Sequence, residues 1–184
     1  ALNGSFNMRL FGLNNALMII FAFKGSFYDT LLIHASAICH KNHAYAFVAK
    51  SGTGKSTHSS LWLKYIPGCE LINDDNPIIR IIDDIPYLYG SPWSGKTPCY
   101  RNVKIRLGGI VRIDRANANS ISKLSPTVAF ASLLPSCSTM KWDKVIFNNI
   151  CSTISLLIEH ANIYILHCLP DKDAAIKCHE MISI

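Results

Sequence analysis

At 184 residues, with 49% hydrophobic and 16% charged residues, the chain can bury a substantial core, and its composition excludes a disordered or fibrous polymer. Its 18 Lys and Arg against 12 Asp and Glu, a formal charge of +6, suit phosphate-bearing ligands or an acidic partner. No basic run or aromatic–basic stripe accompanies that charge, so no nucleic-acid partner is expected.

Taken in order, residues 8–24 place Leu10, Phe11, Leu13, Leu17, Met18, Ile20 and Phe21 at helical spacing. This predicts a helix laid on one sheet face, with a strand over Leu17–Phe23 as the alternative. The longest apolar run, Ala16 to Phe23, is eight residues, too short for a bilayer, so no membrane partner is expected. No signal-peptide pattern is visible, and the chain begins at Ala1 without Met. Thr30 to Ile38 reads as a strand, with Lys41-Asn42 turning it into a second strand over Ala44–Val48.

That second strand runs into Ala49-Lys50-Ser51-Gly52-Thr53-Gly54-Lys55-Ser56, followed by a helical pattern from Ser56 to about Tyr65. Strand, Gly-rich turn, Lys-Ser and helix form the phosphate-cradling P-loop arrangement. Glycines let backbone N–H groups approach an anion, and the helix adds its positive end. Ser51, Gly52, Thr53, Gly54, Lys55, Ser56 and Thr57 are therefore the candidate nucleotide-binding residues, with Lys55 on the phosphates and the Ser56 hydroxyl on Mg²⁺. Ala49 stands where the motif opens with Gly. Gly90-Ser91-Pro92-Trp93-Ser94-Gly95-Lys96-Thr97 fits the same formula. Its Pro92 removes an N–H that a cradle needs, and Pro98 follows with no helical pattern. The 49–56 segment is the P-loop; 90–97 is a different loop.

Glu70–Asn73 predicts a short strand ending in Asp74-Asp75, placed like a Walker B element after a P-loop helix. Adjacent carboxylates on extended backbone point apart, so one can face Mg²⁺ and the other an acceptor hydroxyl. An Asp-Asp-Asn-Pro turn with a capping Asp is the structural alternative. Residues 77–89 read as a β-hairpin centred on Asp83-Asp84, and its exit loop carries Trp93, Lys96 and Arg101. Lys96 and Arg101 are candidates to neutralise transferring phosphate charge. A strand over Ile105–Ile113 holds Gly108-Gly109, where a bulge or close approach is expected. Arg112 and Arg115 read as surface cations. Helices are predicted from Ser125-Pro126 to about Leu134, over Trp142–His160, and from Pro170-Asp171 to about Met181, with a strand over Ile163–Cys168. The seven cysteines form no C-x-x-C pair and read as reduced thiols of a cytoplasmic protein; no ligand spacing for a metal recurs.

Ile33-His34-Ala35, then Ser51-Gly52-Thr53-Gly54-Lys55-Ser56, then Asn73-Asp74-Asp75 resemble the HPr kinase/phosphorylase catalytic domain and its phosphoenolpyruvate-carboxykinase-like relatives, over about residues 30–115. The resemblance implies an α/β fold, a mixed β-sheet with a P-loop flanked by helices. It divides the single domain into an N-terminal extension (1–29), a nucleotide-binding core (30–115) and C-terminal helices and strand (116–184). It implies a Mg²⁺- and ATP-dependent kinase acting on a hydroxyl of a protein, peptide or small molecule. Asp75 would be the general base, Asp74 a metal ligand, and His34 would orient one of these groups or contact the phosphate. Lys104 stands where the family's second signature has Glu, which leaves the acceptor open. A nucleotide-binding sensor or assembly module without turnover is the alternative reading, and self-association is left open.

Overall fold

The computed structural model describes residues 3–95 and 97–183. In chain order they form α1 (Phe6–Gly25), β1 (Thr30–Leu32), β2 (Ala35–His40), β3 (His43–Val48), α2 (Lys55–Tyr65), β4 (Glu70–Asn73), β5 (Ile78–Ile82), β6 (Ile85–Tyr89), β7 (Lys104–Arg115), β8 (Ser120–Lys123), α3 (Pro126–Leu133), α4 (Lys144–His160), β9 (Ile163–Cys168) and α5 (Lys172–Ile182). The architecture is mixed α/β, a curled mixed sheet with flanking helices.

Both hairpins expected from the sequence are present: β2 pairs antiparallel with β3, and β5 with β6. Their turns, Lys41-Asn42 and Asp83-Asp84, have positive φ at both central residues, the backbone twist that matches two antiparallel strands. The strand predicted over Thr30 to Ile38 is instead two strands, broken at Ile33-His34. β1 pairs with β5, whereas β2 lies between β3 and β4. That break frees His34 from the ladder.

Long β7 organises the sheet. One edge pairs in parallel with β3. The other is shared: its start pairs antiparallel with β6 and its end in parallel with β9, which carries β8. Gly108 is the extra residue where the β3–β7 register shifts, and a Cβ there would lie 2.7 Å from the Tyr45 ring. Only glycine lets the strands close over that buried ring.

Alternation along β3 builds a core on each face. Ala44, Ala46 and Val48 join Ile150, Ile154 and Leu157 of α4 on one side. Tyr45 and Phe47 join Trp62 of α2 and Ala174, Ala175 and Cys178 of α5 on the other. Asp143 and Asp171 cap α4 and α5 by accepting backbone N–H groups of the first turn. All seven cysteines are free thiols.

Helix α1 departs from expectation. It forms where predicted, but it does not lie flat on a sheet face: Ala22 is its one fully buried residue, and Phe11 is 71% exposed. Its apolar residues surround the helix and do not form a stripe, so packing one side leaves the rest in water. By length and composition 6–28 matches a membrane-crossing helix. Counting uninterrupted apolar residues missed this, because Asn14 and Asn15 divide the run.

Candidate functional site

The Gly-rich loop lies between the end of β3 and the start of α2. Gly52 (φ 76°) and Gly54 (φ 127°) hold conformations that side chains resist, and a Cβ at Gly52 would meet nothing within 4 Å. The loop is thus bent by its glycines, with open space beside it. Gly54 is the N-cap of α2, so the free N–H groups of that helix start here. Ser56 and Thr57 stand exposed in its first turn.

Lys55 points away from water. It is 8% exposed, its ammonium lies 2.9 Å from His34 Nε2, and it donates to the Ala49 carbonyl at 3.4 Å. Burial lowers its pKa, while Asp75 and Asp74 pull it back up. On the far side of the imidazole, His34 Nδ1 lies 3.0 Å from Asp75 Oδ1. An ammonium donating to Nε2 leaves the His34 proton on Nδ1, which then donates to Asp75. Lysine, histidine and aspartate form one polar chain with Lys55 as its buried end, while the His34 and Asp75 side chains remain accessible, 43% and 33% exposed.

The two carboxylates lie just past the end of β4, in a turn and not on the extended backbone expected, and are held differently. Buried Asp74 accepts from Ser36 Oγ at 2.8 Å through Oδ1, and Ser59 of α2 donates to Ser36 at 2.6 Å. This relay ties Asp74 to the helix that starts at the Gly-rich loop. Asp75 accepts on Oδ2 from Asn76 Nδ2 at 2.8 Å. Fully buried Asn73 fixes the turn: its Oδ1 accepts the Asp75 and Asn76 N–H groups at 2.9 Å each. Its Nδ2 donates to Ser91 Oγ at 3.1 Å and the Trp93 carbonyl at 3.3 Å. The Asx turn, the structural alternative in the sequence, is therefore real, but Asn73 makes it and neither aspartate is its capping side chain.

The described residues of the 90–97 segment pack against the two aspartates and form no helix start of their own. They fold over the carboxylates so closely that a Cβ on Gly95 would lie 3.2 Å from Asp75 Cβ. Lys96 lies outside the described residues. Arg101 pairs with Glu70 at 2.7 Å and donates to the Leu71 carbonyl, at the opposite end of β4 from Asp74, so it is not brought beside the two aspartates. Arg115, read as a surface cation, instead reaches the loop, donating to the Gly52 carbonyl at 2.6 Å and the Thr53 carbonyl at 3.0 Å. The sequence offered no sign of this, because it depends on the parallel β3–β7 pairing that sets the end of β7 beside the end of β3. A cavity of about 440 Å³ opens between the loop and Arg115, lined by Thr57, Leu61, Ile113 and Leu169.

Among the described residues, no three His, Cys, Asp or Glu side chains converge as a metal site. Any divalent ion here would take at most two such side chains from the described residues and complete its shell with hydroxyl, water or anion oxygens. A scan against protein-family models finds no match for the chain, and a search of curated proteins finds none either.

Proposed function

We propose that the chain is a Mg²⁺- and ATP-dependent phosphotransferase of the HPr kinase-like P-loop type, moving a γ-phosphoryl group to a serine or threonine hydroxyl of a protein or peptide. The observation that carries this reading is the Lys55–His34–Asp75 chain at the mouth of a glycine-bent loop. A phosphate cation and an accessible carboxylate sit on either side of one imidazole, as transfer from a nucleotide to a hydroxyl requires.

In this reading the loop N–H groups and the start of α2 receive the phosphates. Lys55 leaves His34 to meet the β- and γ-oxygens, exchanging a neutral partner for an anionic one. The cavity beside Thr57 and Leu61 receives the apolar part of the nucleotide. Asp75 takes the proton from the acceptor hydroxyl as its oxygen bonds to the γ-phosphorus; the bond from that phosphorus to the bridging oxygen breaks, and ADP leaves. His34, held by Asp75, keeps the base oriented. Mg²⁺, when bound by the Ser56 hydroxyl and the Asp74 carboxylate, neutralises phosphate charge. Asp74 fits this role because Ser36 occupies only Oδ1.

The test traces γ-labelled phosphate from Mg-ATP in native cell extract with the wild type and with Lys55→Ala. Label that reaches a discrete acceptor only with the wild type supports the kinase. Label that stays on ATP, despite measurable nucleotide binding, makes the chain a binding module and removes the proposed chemistry.

A further inference from the structure

A groove of about 910 Å³ runs between α1 and the end of the sheet formed by β1, β5 and β6. One wall is Leu17, Ile20, Phe21 and Lys24, spaced along a single face of α1. The other includes Ile78, Arg80 and Trp93, and the Trp93 ring meets Phe21 at 5.4 Å between centroids.

Three observations say what fits there. First, the groove adjoins the candidate base. Trp93 and Gly95 are two residues apart, at most about 7 Å along the chain, and Gly95 packs directly on Asp75. One short segment thus walls both the groove and the base. Second, the charge is one-sided. Lys24 and Arg80 are exposed, the groove lining contains no acidic residue, and neither cation has an ion-pair partner among the described residues. Third, Lys24 on α1 and Arg80 on β5 stand on opposite walls, so a chain laid in the groove meets a cation on each side.

We propose that this groove docks the phosphate acceptor: an extended polypeptide segment bearing apolar side chains and an acidic residue, which lays its serine or threonine at Asp75. The proposal rests on the phosphotransferase reading. At 3.3–3.6 Å per extended residue, a path of at most about 13 Å from Trp93 through Gly95 to Asp75 sets the anchor within about four residues of the acceptor hydroxyl. Apolar side chains fill the space beside Phe21 and Trp93, and the carboxylate meets Lys24 and Arg80.

The test incubates the full chain with Mg-ATP and an oriented library of dodecapeptides, each with one central serine. The expected products are enriched in acidic and apolar residues within about four positions to one side of that serine. Lys24→Glu with Arg80→Glu should lower labelling of those peptides about tenfold and move the preference to basic residues, with fluorescent ATP-analogue binding unchanged. Lys24→Gln with Arg80→Gln should abolish the acidic preference without reversing it. Labelling with no positional preference, or with the same preference in the reversed variant, overturns the groove while leaving the kinase standing. If no peptide is labelled, fluorescence anisotropy of a fluorescein-labelled acidic–apolar peptide pool decides. Binding that the charge reversal removes supports the groove although the kinase reading fails; absent binding ends both. A dimer in sedimentation that Phe21→Ser dissociates assigns the groove to a second copy and overturns the proposal.

Discussion

Arg115 holds the Gly-rich loop by its carbonyl oxygens, and this sets the orientation of its N–H groups. A peptide unit whose oxygen is pinned outward presents its N–H the other way. The guanidinium makes two such contacts at once, to Gly52 and Thr53, a fork that lysine cannot reproduce. The loop opens with Ala49, not Gly, so its shape depends more on external support. Arg115→Ala should therefore weaken ATP-analogue binding about tenfold, the loss of one or two charge-assisted hydrogen bonds at an exposed site. Arg115→Lys should recover only part of it. Fluorescence titration reads this directly, and an affinity equal to wild type in both variants would leave Arg115 as a surface cation after all.

At the scale of elements, the end of β4 is where local structure and chemistry depend most on one side chain. Asn73 satisfies two backbone N–H groups of the Asp74–Asn76 turn and holds the 91–93 segment through its amide. Asn73→Ala would leave these buried groups unpaired, at a cost of about 3 kcal/mol. Urea unfolding should show that loss as a lower midpoint with an unchanged slope. Asn73→Asp keeps the acceptor for the two N–H groups and should cost less; equal stability of all three proteins would remove Asn73 from this role. Much of the element order was legible, because its signals are local. The apolar run of β3, the Lys41-Asn42 turn, the Pro at the start of α3 and the Asp171 cap each act within a few residues. β8 was not legible: Ser120–Lys123 is a short polar strand that exists because β9 offers it an edge. The break at His34 was equally hidden, since its cause is the pairing of β1 with distant β5 and of β2 with β4. For the same reason the sequence placed His34, Lys55 and Asp75 near one site without showing that they touch.

For the whole molecule, the second core ties α2, α5 and the sheet together through aromatic and imidazole rings, and this makes its stability sensitive to acid. Trp62, wholly buried, donates its indole N–H to His58 Nε2 at 3.0 Å, and Phe47 meets the His58 ring edge-on. An acceptor at Nε2 means a neutral ring, and burial pushes the His58 pKa from 6.5 down to about 4. The His40 and His179 rings meet edge-on, 4.8 Å apart between centroids, in the same layer; burial lowers both, and Lys41 further disfavours each as a cation, while Glu180 partly offsets this for His179. The unfolded chain takes up protons near pH 6.5, whereas the folded chain resists them until about pH 4 for His58. Stability is therefore complete above pH 6.5 and falls as the pH drops through that window. The His58 contribution is about 3 kcal/mol, lost in full only below pH 4. His58→Gln keeps an acceptor for the Trp62 N–H but cannot titrate, so its unfolding free energy should fall less steeply between pH 7 and 5. His40 and His179 should leave a residual slope in that variant. If wild type and variant decline in parallel, the His58 ring is not the buried neutral acceptor on which this core depends.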